Sequence, residues 1–395
     1  MNGRQVVIVS GVRTAIGDYG GSLKDVAPTE LGARVVREAV ARAKVDPAQI
    51  GQCVFGGVIH TEPKDMYLSR VVGVQGGLPV TSGALTVNRL CGSGLQAIVS
   101  AAQYILLGDI DAAIGGGAES MSRASYIDPA HRWGARMGDT KMVDMMAGAL
   151  SDPFETMHMG VTAENVARQC GIGREQQDAF AVESHRRALA AQQAGHFKSQ
   201  ILPIELKSRK GPVQFDTDEH VRADASLDGM AKLKPVFAKE NGTVTAGNAS
   251  GLNDAAAAVV LMDAATAERN GLTPLARLVA YGHAGVEPRI MGLGPVTAVK
   301  NALAKARLSL ADIDIIESNE AFAAQALGVN QELGLDPAKV NPNGGAVALG
   351  HPIGATGCIL TVKAMYELQR TRKRYALITM CIGGGQGIAA IIERA

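Results

Sequence analysis

The chain has 395 residues, which is too long for one ordinary domain and typical of two or three. Hydrophobic residues make up 47% of it and charged residues 19%, a composition that predicts a globular protein with a large core. The formal net charge of +1 gives no reason to expect a nucleic acid or an anionic membrane surface as a partner.

The N-terminal segment, the apolar runs and the cysteines predict in which cellular compartment the protein works. The N-terminal segment MNGRQVVIVSGVR holds an apolar run too short for a signal peptide, and this run continues as a predicted strand. No run approaches the roughly 18 apolar residues of a membrane span. The cysteines are odd in number, widely spaced and without a C-x-x-C pair: Cys53, Cys91, Cys170, Cys358 and Cys381. This pattern predicts a reducing, cytoplasmic location and argues against a disulfide framework or a zinc ribbon.

The first half of the chain recurs in the second half. Residues 36–50, VREAVARAKVDPAQI, align without a gap on residues 299–313, VKNALAKARLSLADI, and six positions are identical. Each segment has the pattern of an amphipathic helix followed by a short turn and a strand, CVFGG in one case and IIES in the other. The offset between the two copies is 263 residues.

The same offset relates a second pair of elements. It carries Gly94 onto Gly357, and each glycine stands at the start of a predicted helix that leads to a strand and a glycine run. Two matches at one offset predict a duplicated α/β domain, with copies at about 1–120 and 252–395. Alternation of strands and helices predicts mostly parallel sheets covered by helices. The segment 121–251 has no counterpart, so we expect an insertion of loops and helices.

Cys91 lies at a predicted strand-to-helix turn in TVNRLCGSGLQA. The dipole at a helix N-terminus favours a thiolate, so this position predicts a nucleophile with a lowered pKa. A buried structural cysteine is the alternative. The segment GSGLQA also matches the dinucleotide fingerprint G-x-G-x-x-G/A, with Asp109 and Asp111 near the required distance. However, the acid should end the second strand of that motif, and both aspartates precede the apolar strand residues.

His351 lies among glycines in GHPIGATG, and Pro352 biases it toward an extended backbone. By the repeat, the loop that carries Cys91 in the first copy carries His351 in the second. A pseudo-twofold axis would bring the two side chains toward each other. Such a Cys–His pair supplies a nucleophile and a proton carrier for acyl transfer. A structural histidine is the alternative.

Four further positions are candidates for the same site. Cys381 ends a predicted strand before IGGG, where a thiol could act as a base on a carbon acid and glycine N–H groups could stabilise an oxyanion. Asn319 precedes a predicted helix, so it either caps the helix or holds a water or substrate oxygen. His158 and Ser250 give weaker signals.

The acidic segment DTDEH at 216–220 lacks the spacing of a metal loop, so we expect a solvated loop and no metal site.

The motifs taken together resemble those of the thiolases, specifically the short-chain bacterial β-ketothiolases. The resemblance covers the whole chain, and its segments are NRLCGSGLQA, GGGAESMS, HMGVTAENVA, TAGNASGLNDAAA, ESNEAFAAQ, NPNGGAVALGHPIGATG and CIGGGQG. It implies a thiolase-like α/β fold of five layers, α-β-α-β-α, in which two duplicated halves have covered mixed sheets and carry an inserted loop domain.

The resemblance also implies roles for the candidate residues. Cys91 is the nucleophile that an acyl-CoA acylates, and His351 activates it. Cys381 removes the α-proton of acetyl-CoA in condensation. Asn319 fixes a water that forms one oxyanion hole with His351, and the backbone N–H groups of Cys91 and Gly383 form the other. The implied reaction is the reversible condensation of acetyl-CoA with a short acyl-CoA, giving a 3-ketoacyl-CoA and CoA.

For coenzyme A, the resemblance implies a substrate rather than a tightly bound cofactor. The matching positions along its pantetheine and nucleotide are Leu150, His158, Met159, Arg222, Ala246, Ser250 and Phe322, with Met291 in the acyl pocket. Of these, Arg222 carries a charge suited to a phosphate. Family likeness further implies a homotetramer in which part of 121–146 forms the contact between dimers.

Three other readings remain open at this point. A ketosynthase of the same fold would carry a histidine where Cys381 stands. A non-catalytic acyl-CoA-binding protein on this fold would lack at least one of Cys91, His351 and Cys381, and all three are present. A Cys–His thioesterase would have no need of Cys381.

Overall fold

The computed structural model describes residues 3–208 and 211–395. Within these residues the strands of the first half and the insertion are β1 Val6–Thr14, β2 Gly17–Asp18, β3 Gln52–Gly56, β4 Gly83–Val87, β5 Ala112–Ser120, β6 Tyr126–Ile127, β7 Val143–Asp144, β8 Ile201–Leu202, β9 Ile204–Ser208 and β10 Gly211–Phe215. The strands that follow are β11 Asn253–Asp263, β12 Ala276–Gly285, β13 Ile315–Ser318, β14 Tyr375–Ile382 and β15 Gln386–Arg394.

Helices lie in both halves and in the insertion. They are α1 Pro28–Ala43, α2 Leu68–Gln75, α3 Ser93–Leu107, α4 Met145–Ala149, α5 Met159–Cys170, α6 Arg174–Gln193, α7 Leu227–Ala231, α8 Ala264–Arg269, α9 Gly294–Ala306, α10 Ala323–Leu333, α11 Ala346–Leu349 and α12 Thr356–Thr371. The repeat relates α1 to α9, β3 to β13, α3 to α12 and β5 to β14, as the predicted offset requires. The insertion, expected to consist of loops and helices, contains α5 and α6 as its longest helices.

The sheets are mixed rather than mostly parallel. The strand order is β13-β14-β15-β12-β1-β11-β5-β3-β4, and only two residue pairs join β1 to β12 across the boundary between the halves. Strands β3–β4, β3–β5 and β13–β14 pair in parallel, whereas the central pairs are antiparallel. The expectation of mostly parallel sheets was therefore wrong. The reason is local, because a three-residue turn joins β14 to β15 and permits only an antiparallel hairpin.

Strand β11 shows how the insertion connects to the first half. Its residues follow the insertion in sequence, and a division at residue 252 assigns them to the second copy. In the structure, β11 lies between β1 and β5 and pairs with both. It thus occupies the place in the first half that β15 occupies in the second, and the first sheet is incomplete without it.

Helices α3 and α12 pack against each other between the two halves, and this contact gives the fold its middle layer. The glycines predicted to correspond lie at the crossing. A Cβ atom on Gly94 would come within 2.9 Å of the backbone nitrogen of Cys358, and one on Gly357 within 2.3 Å of that of Leu95. The absence of side chains here lets the two helix starts approach closely. As a result, the loops that precede both helices meet at one place.

Helix α3 also accounts for an apolar segment. Residues Leu90–Leu107 are long and apolar enough to pass as a membrane span by length and composition alone. However, the 15 residues of α3 extend about 22 Å, less than the roughly 30 Å of a bilayer core. The helix packs on β3, β5 and α12. We therefore interpret it as a core helix.

The insertion is anchored to the first half by a buried ion pair. The Asp218 carboxylate accepts hydrogen bonds of 2.6 and 2.9 Å from the Arg13 guanidinium, and both side chains are fully buried. In the same segment, His220 Nδ1 lies 2.6 Å from Asp18 Oδ1. The prediction of a solvated loop at 216–220 was thus wrong for these two residues. Asp218 and His220 serve tertiary pairing, which the local sequence does not reveal.

Candidate active site

The turn that carries Cys91 is held by its own side chains. Leu90 has a left-handed backbone with φ of 44°, and Asn88 Oδ1 accepts a hydrogen bond of 3.1 Å from its N–H. The Ser93 hydroxyl accepts a bond of 2.8 Å from the Arg89 N–H and donates one of 2.6 Å to the Leu90 carbonyl. These bonds fix a conformation that is costly for a branched side chain. They leave Cys91 lining a cavity.

His351 is buried, and three neighbours fix it. Its backbone N–H donates a hydrogen bond of 2.8 Å to Asn253 Oδ1. Its Nδ1 lies 2.7 Å from Thr356 Oγ1, and its Nε2 lies 3.3 Å from Asn319 Nδ2. No carboxylate bonds to the imidazole anywhere in residues 3–208 and 211–395. The ring thus lies in a neutral polar setting at the start of α12.

Asn319 does not cap the helix that follows it. Helix α10 begins at Ala323, and Phe322 occupies the cap position without a side-chain hydrogen bond. The Asn319 side chain is fully buried and directs its amide nitrogen toward His351. Its Oδ1 has no hydrogen-bond partner among the described groups. Of the two alternatives for this residue, the structure therefore excludes capping.

Cys381 and Gly383 stand at the end of β14. Cys381 is fully buried and packs with Met159, Met291 and Ala321. The glycine turn after it is tight, because two of its glycines have φ of 81° and 86°. A Cβ atom on Gly383 would lie 2.9 Å from a Leu90 side-chain atom, so this turn touches the one that carries Cys91.

Burial controls the protonation of these groups. It raises the pKa of the Cys91 thiol to about 11, although the N–H groups of Gly383 and of Cys91 itself oppose the rise. The expected lowering by the helix N-terminus is therefore wrong here, since desolvation is the larger effect. Burial lowers the pKa of His351 to about 4. Burial, and then the proximity of Cys91, raise the pKa of Cys381. At neutral pH the resting site thus holds thiols and a neutral imidazole.

The site opens into a cavity of about 370 Å³. Ten of the predicted residues line it: Cys91, Leu150, His158, Met159, Ala246, Ser250, Met291, Phe322, His351 and Gly383. Cys381 and Asn319 lie behind its wall. Arg222 is exposed and does not line the cavity, and its backbone N–H bonds to His185 Nδ1 at 3.1 Å. The walls are largely apolar.

The structure adds an aromatic cluster that the sequence analysis missed. Phe237 lines the cavity, stacks on the His158 ring with centroids 4.6 Å apart, and meets Phe322 edge-on at 6.3 Å. Phe237 lies in an irregular segment without a recognisable motif, so its position could be found only from the fold. The bond of His351 to Thr356 was missed as well. There the motif GHPIGATG contained the residue, but its contact was not apparent.

A metal centre has no support in the described part of the chain. Across residues 3–208 and 211–395, no group of three His, Cys, Asp or Glu side chains could hold a metal ion. A second depression of about 350 Å³, between α6 and α10, contains none of the predicted site residues.

Comparison with known families accounts for nearly the whole chain. The family model described as "Thiolase, N-terminal domain" matches residues 6–265, and "Thiolase, C-terminal domain" matches residues 272–394. The first match extends past β11, in agreement with the pairing of that strand.

Similar proteins match over their full length. "Beta-ketothiolase BktB" of Cupriavidus necator is 71% identical over 391 residues, which is 99% of each chain. "Acetyl-CoA acetyltransferase" of Chromobacterium violaceum is 51% identical and covers 99% of this chain and 100% of its own. Among solved structures, human mitochondrial 3-ketoacyl-CoA thiolase in complex with CoA has a TM-score of 0.96 at 44% identity, covering 99% of this chain and 98% of its own.

Proposed function

Because the chain belongs to the thiolase family, we propose that it catalyses the reversible Claisen condensation of acetyl-CoA with a short acyl-CoA. The products are a 3-ketoacyl-CoA and free CoA, and the reverse reaction is thiolysis. The observation that carries this proposal is the meeting of Cys91, His351 and Gly383 on one cavity, with Cys381 packed behind its wall.

In the first step, Cys91 is acylated. The neutral His351 takes the proton from the Cys91 sulfur as that sulfur attacks the thioester carbonyl carbon. The carbon–sulfur bond to CoA then breaks, Cys381 gives its thiol proton to the departing CoA thiolate, and His351 keeps the proton from Cys91. The N–H groups of Cys91 and Gly383 bind the oxyanion that forms between these events. A raised thiol pKa fits this sequence, since proton transfer then coincides with attack.

In the second step, a carbon–carbon bond forms. Cys381, as a thiolate, removes an α-proton from acetyl-CoA, and the resulting carbon nucleophile attacks the acyl carbonyl on Cys91. The new bond replaces the bond from the acyl group to the Cys91 sulfur, and His351 returns its proton to that sulfur. A water fixed by Asn319, together with the protonated His351, holds the thioester oxygen of acetyl-CoA while negative charge develops on it. Burial of Cys381 strengthens it as a base, because a thiolate of high pKa binds protons tightly.

CoA binding would fall to the insertion. We assign the apolar cavity, with Leu150, Met159 and Phe322 on its walls, to the pantetheine arm, and Met291 to the acyl group. The exposed Arg222 supplies a positive charge for a phosphate of CoA. By likeness to the family, we also propose residues 1–120, 121–251 and 252–395 as the functional divisions, with β11 of the last division completing the sheet of the first. We further propose a homotetramer with contacts in part of 121–146, and a cytoplasmic location.

The test is CoA-dependent loss of 3-ketoacyl-CoA by the purified protein. Substrates of four, five, six and more carbons are compared, with Cys91→Ala as the blank. Activity on the shorter substrates that is absent from the variant supports the proposal. Loss of ketoacyl-CoA without a requirement for CoA would indicate a thioesterase. A folded protein that binds CoA but consumes no substrate would indicate a binding protein.

The two steps can be separated by substitution. Cys381→Ser removes the thiol base but leaves Cys91 and His351 in place. We expect Cys91 to be acylated by acetyl-CoA, with water protonating the departing CoA thiolate, and condensation to be lost. The matched control is Cys358→Ser, since Cys358 is equally buried on α12 and does not line the cavity. Equal loss of both steps in Cys381→Ser would contradict the assigned role.

A further inference from the structure

We propose that Thr356 is a positioning residue that selects the proton-accepting nitrogen of His351. The inference rests on the proposed thiolase function, because it concerns the base of that reaction. Thr356 opens helix α12 and is buried beside the imidazole. Its hydroxyl lies 2.7 Å from His351 Nδ1.

The hydrogen bonds around the ring form one consistent chain. The Asn319 amide nitrogen faces Nε2 at 3.3 Å and can only donate, so Nε2 carries a lone pair. The proton of a neutral imidazole is then on Nδ1, where it needs an acceptor. Thr356 Oγ1 can accept it, because its own hydrogen is donated to the Pro352 carbonyl at 2.9 Å. Each donor in this chain has an acceptor.

The bond from Nδ1 also persists when the reaction charges the ring. Both nitrogens of an imidazolium donate, so Thr356 accepts from Nδ1 before and after proton transfer. Nε2 is therefore the ring nitrogen that accepts the proton from Cys91. A carboxylate in the position of Thr356 would also accept from Nδ1, but it would raise the pKa of the imidazole and add a buried charge. A hydroxyl orients the ring and adds no charge.

The duplicated half supports a positioning role at this point of the fold. The offset of 263 residues relates Thr356 to Ser93, and each is the first residue of its helix. The Ser93 hydroxyl bonds to the turn that carries Cys91, as described above. Each half thus uses a hydroxyl at the same helix start to fix its own catalytic loop.

The test compares three variants in the full-length enzyme. Thr356→Val removes the hydroxyl at nearly constant volume, Thr356→Ser keeps the hydroxyl, and Thr361→Val is the matched control. Thr361 is buried on the same helix and donates to the Gly357 carbonyl at 2.8 Å, but does not bond to His351. Should valine prevent folding, Thr356→Ala gives the same comparison. The readouts are kcat and KM for thiolysis and the rate of Cys91 alkylation by iodoacetamide.

Loss of a hydrogen bond to a charged ring predicts a kcat for Thr356→Val that is roughly tenfold to a hundredfold lower, with KM changed little. Alkylation of Cys91 should slow alongside it. Thr356→Ser and Thr361→Val should stay within about threefold of the wild type. The proposal is overturned if Thr356→Val matches Thr361→Val, or if Thr356→Ser is as impaired as Thr356→Val. An inactive wild type would refute the thiolase reaction, whereas the alkylation rates would still decide the role of Thr356.

Discussion

Replacement of His351 by glutamine tests the link between burial and reactivity. The variant keeps a polar side chain of similar size but has no base, so Cys91 must ionise without help. Its thiol pKa of about 11 leaves roughly one molecule in a thousand as thiolate at pH 8. Since the thiolate is the nucleophile, reactivity is present above that pKa and falls about tenfold for each pH unit below it. In the wild type, a neutral imidazole accepts the proton throughout the range above its own pKa of about 4.

The assay is the rate of carbamidomethylation of Cys91 by iodoacetamide from pH 6 to 10, followed by mass spectrometry of the peptide. Cys170, which is partly exposed, serves as a reference within the same sample. We expect a slope near one in log rate against pH for His351→Gln, and a faster and flatter profile for the wild type. A plateau of the variant below pH 9 would refute the raised thiol pKa. Equal profiles would refute His351 as the base.

Three other substitutions test the cavity and the fold. Phe237→Ala should raise KM for acetyl-CoA about tenfold with a smaller change in kcat, because the ring lines the cavity and stacks on a histidine; Phe180→Ala, in the second depression, should leave KM unchanged. Asp218→Ala should lower the free energy of unfolding by about 3–5 kcal/mol in urea titrations, since Arg13 would be buried without a partner; a loss below 1 kcal/mol would contradict this. Gly357→Ala should lower both the melting temperature and kcat, because its Cβ would lie 2.3 Å from a nitrogen of α3; wild-type values would show that the helices can separate freely.

The repeat carried most of the fold prediction. Helix α1 and strand β3 recur as α9 and β13, and α3 recurs as α12, because apolar spacing and turn residues are local properties that the sequence displays directly. The direction and partners of strands are not local. Strand β11 follows the insertion in sequence but completes the first sheet, and β15 returns beside β14 through a glycine turn. Sequence order alone therefore predicted too many parallel pairs.

In the candidate site, too, local features were predictable from the sequence and features that depend on distant packing were not. The identity of Cys91, His351 and Cys381 as chemical groups followed from their types and their places beside glycine-rich turns. Their protonation states did not follow from the sequence. The helix start at Cys91 predicted a lowered pKa, but the sulfur lines a cavity within the fold, and desolvation outweighs the dipole. Burial depends on what packs around a residue, and those neighbours come from both halves and the insertion.

The sequence by itself determined the duplicated elements, the family resemblance and the residues able to carry an acyl group or a proton. Only the tertiary structure decided which groups meet. The close approach of Gly94 and Gly357 brings two loops 260 residues apart onto one cavity. It also decided that Asn319 faces His351 rather than a helix end, and that Asp218 pairs with Arg13. The physical reason is that local propensity fixes periodicity within a segment, whereas distance, burial and charge pairing arise only when distant segments pack together.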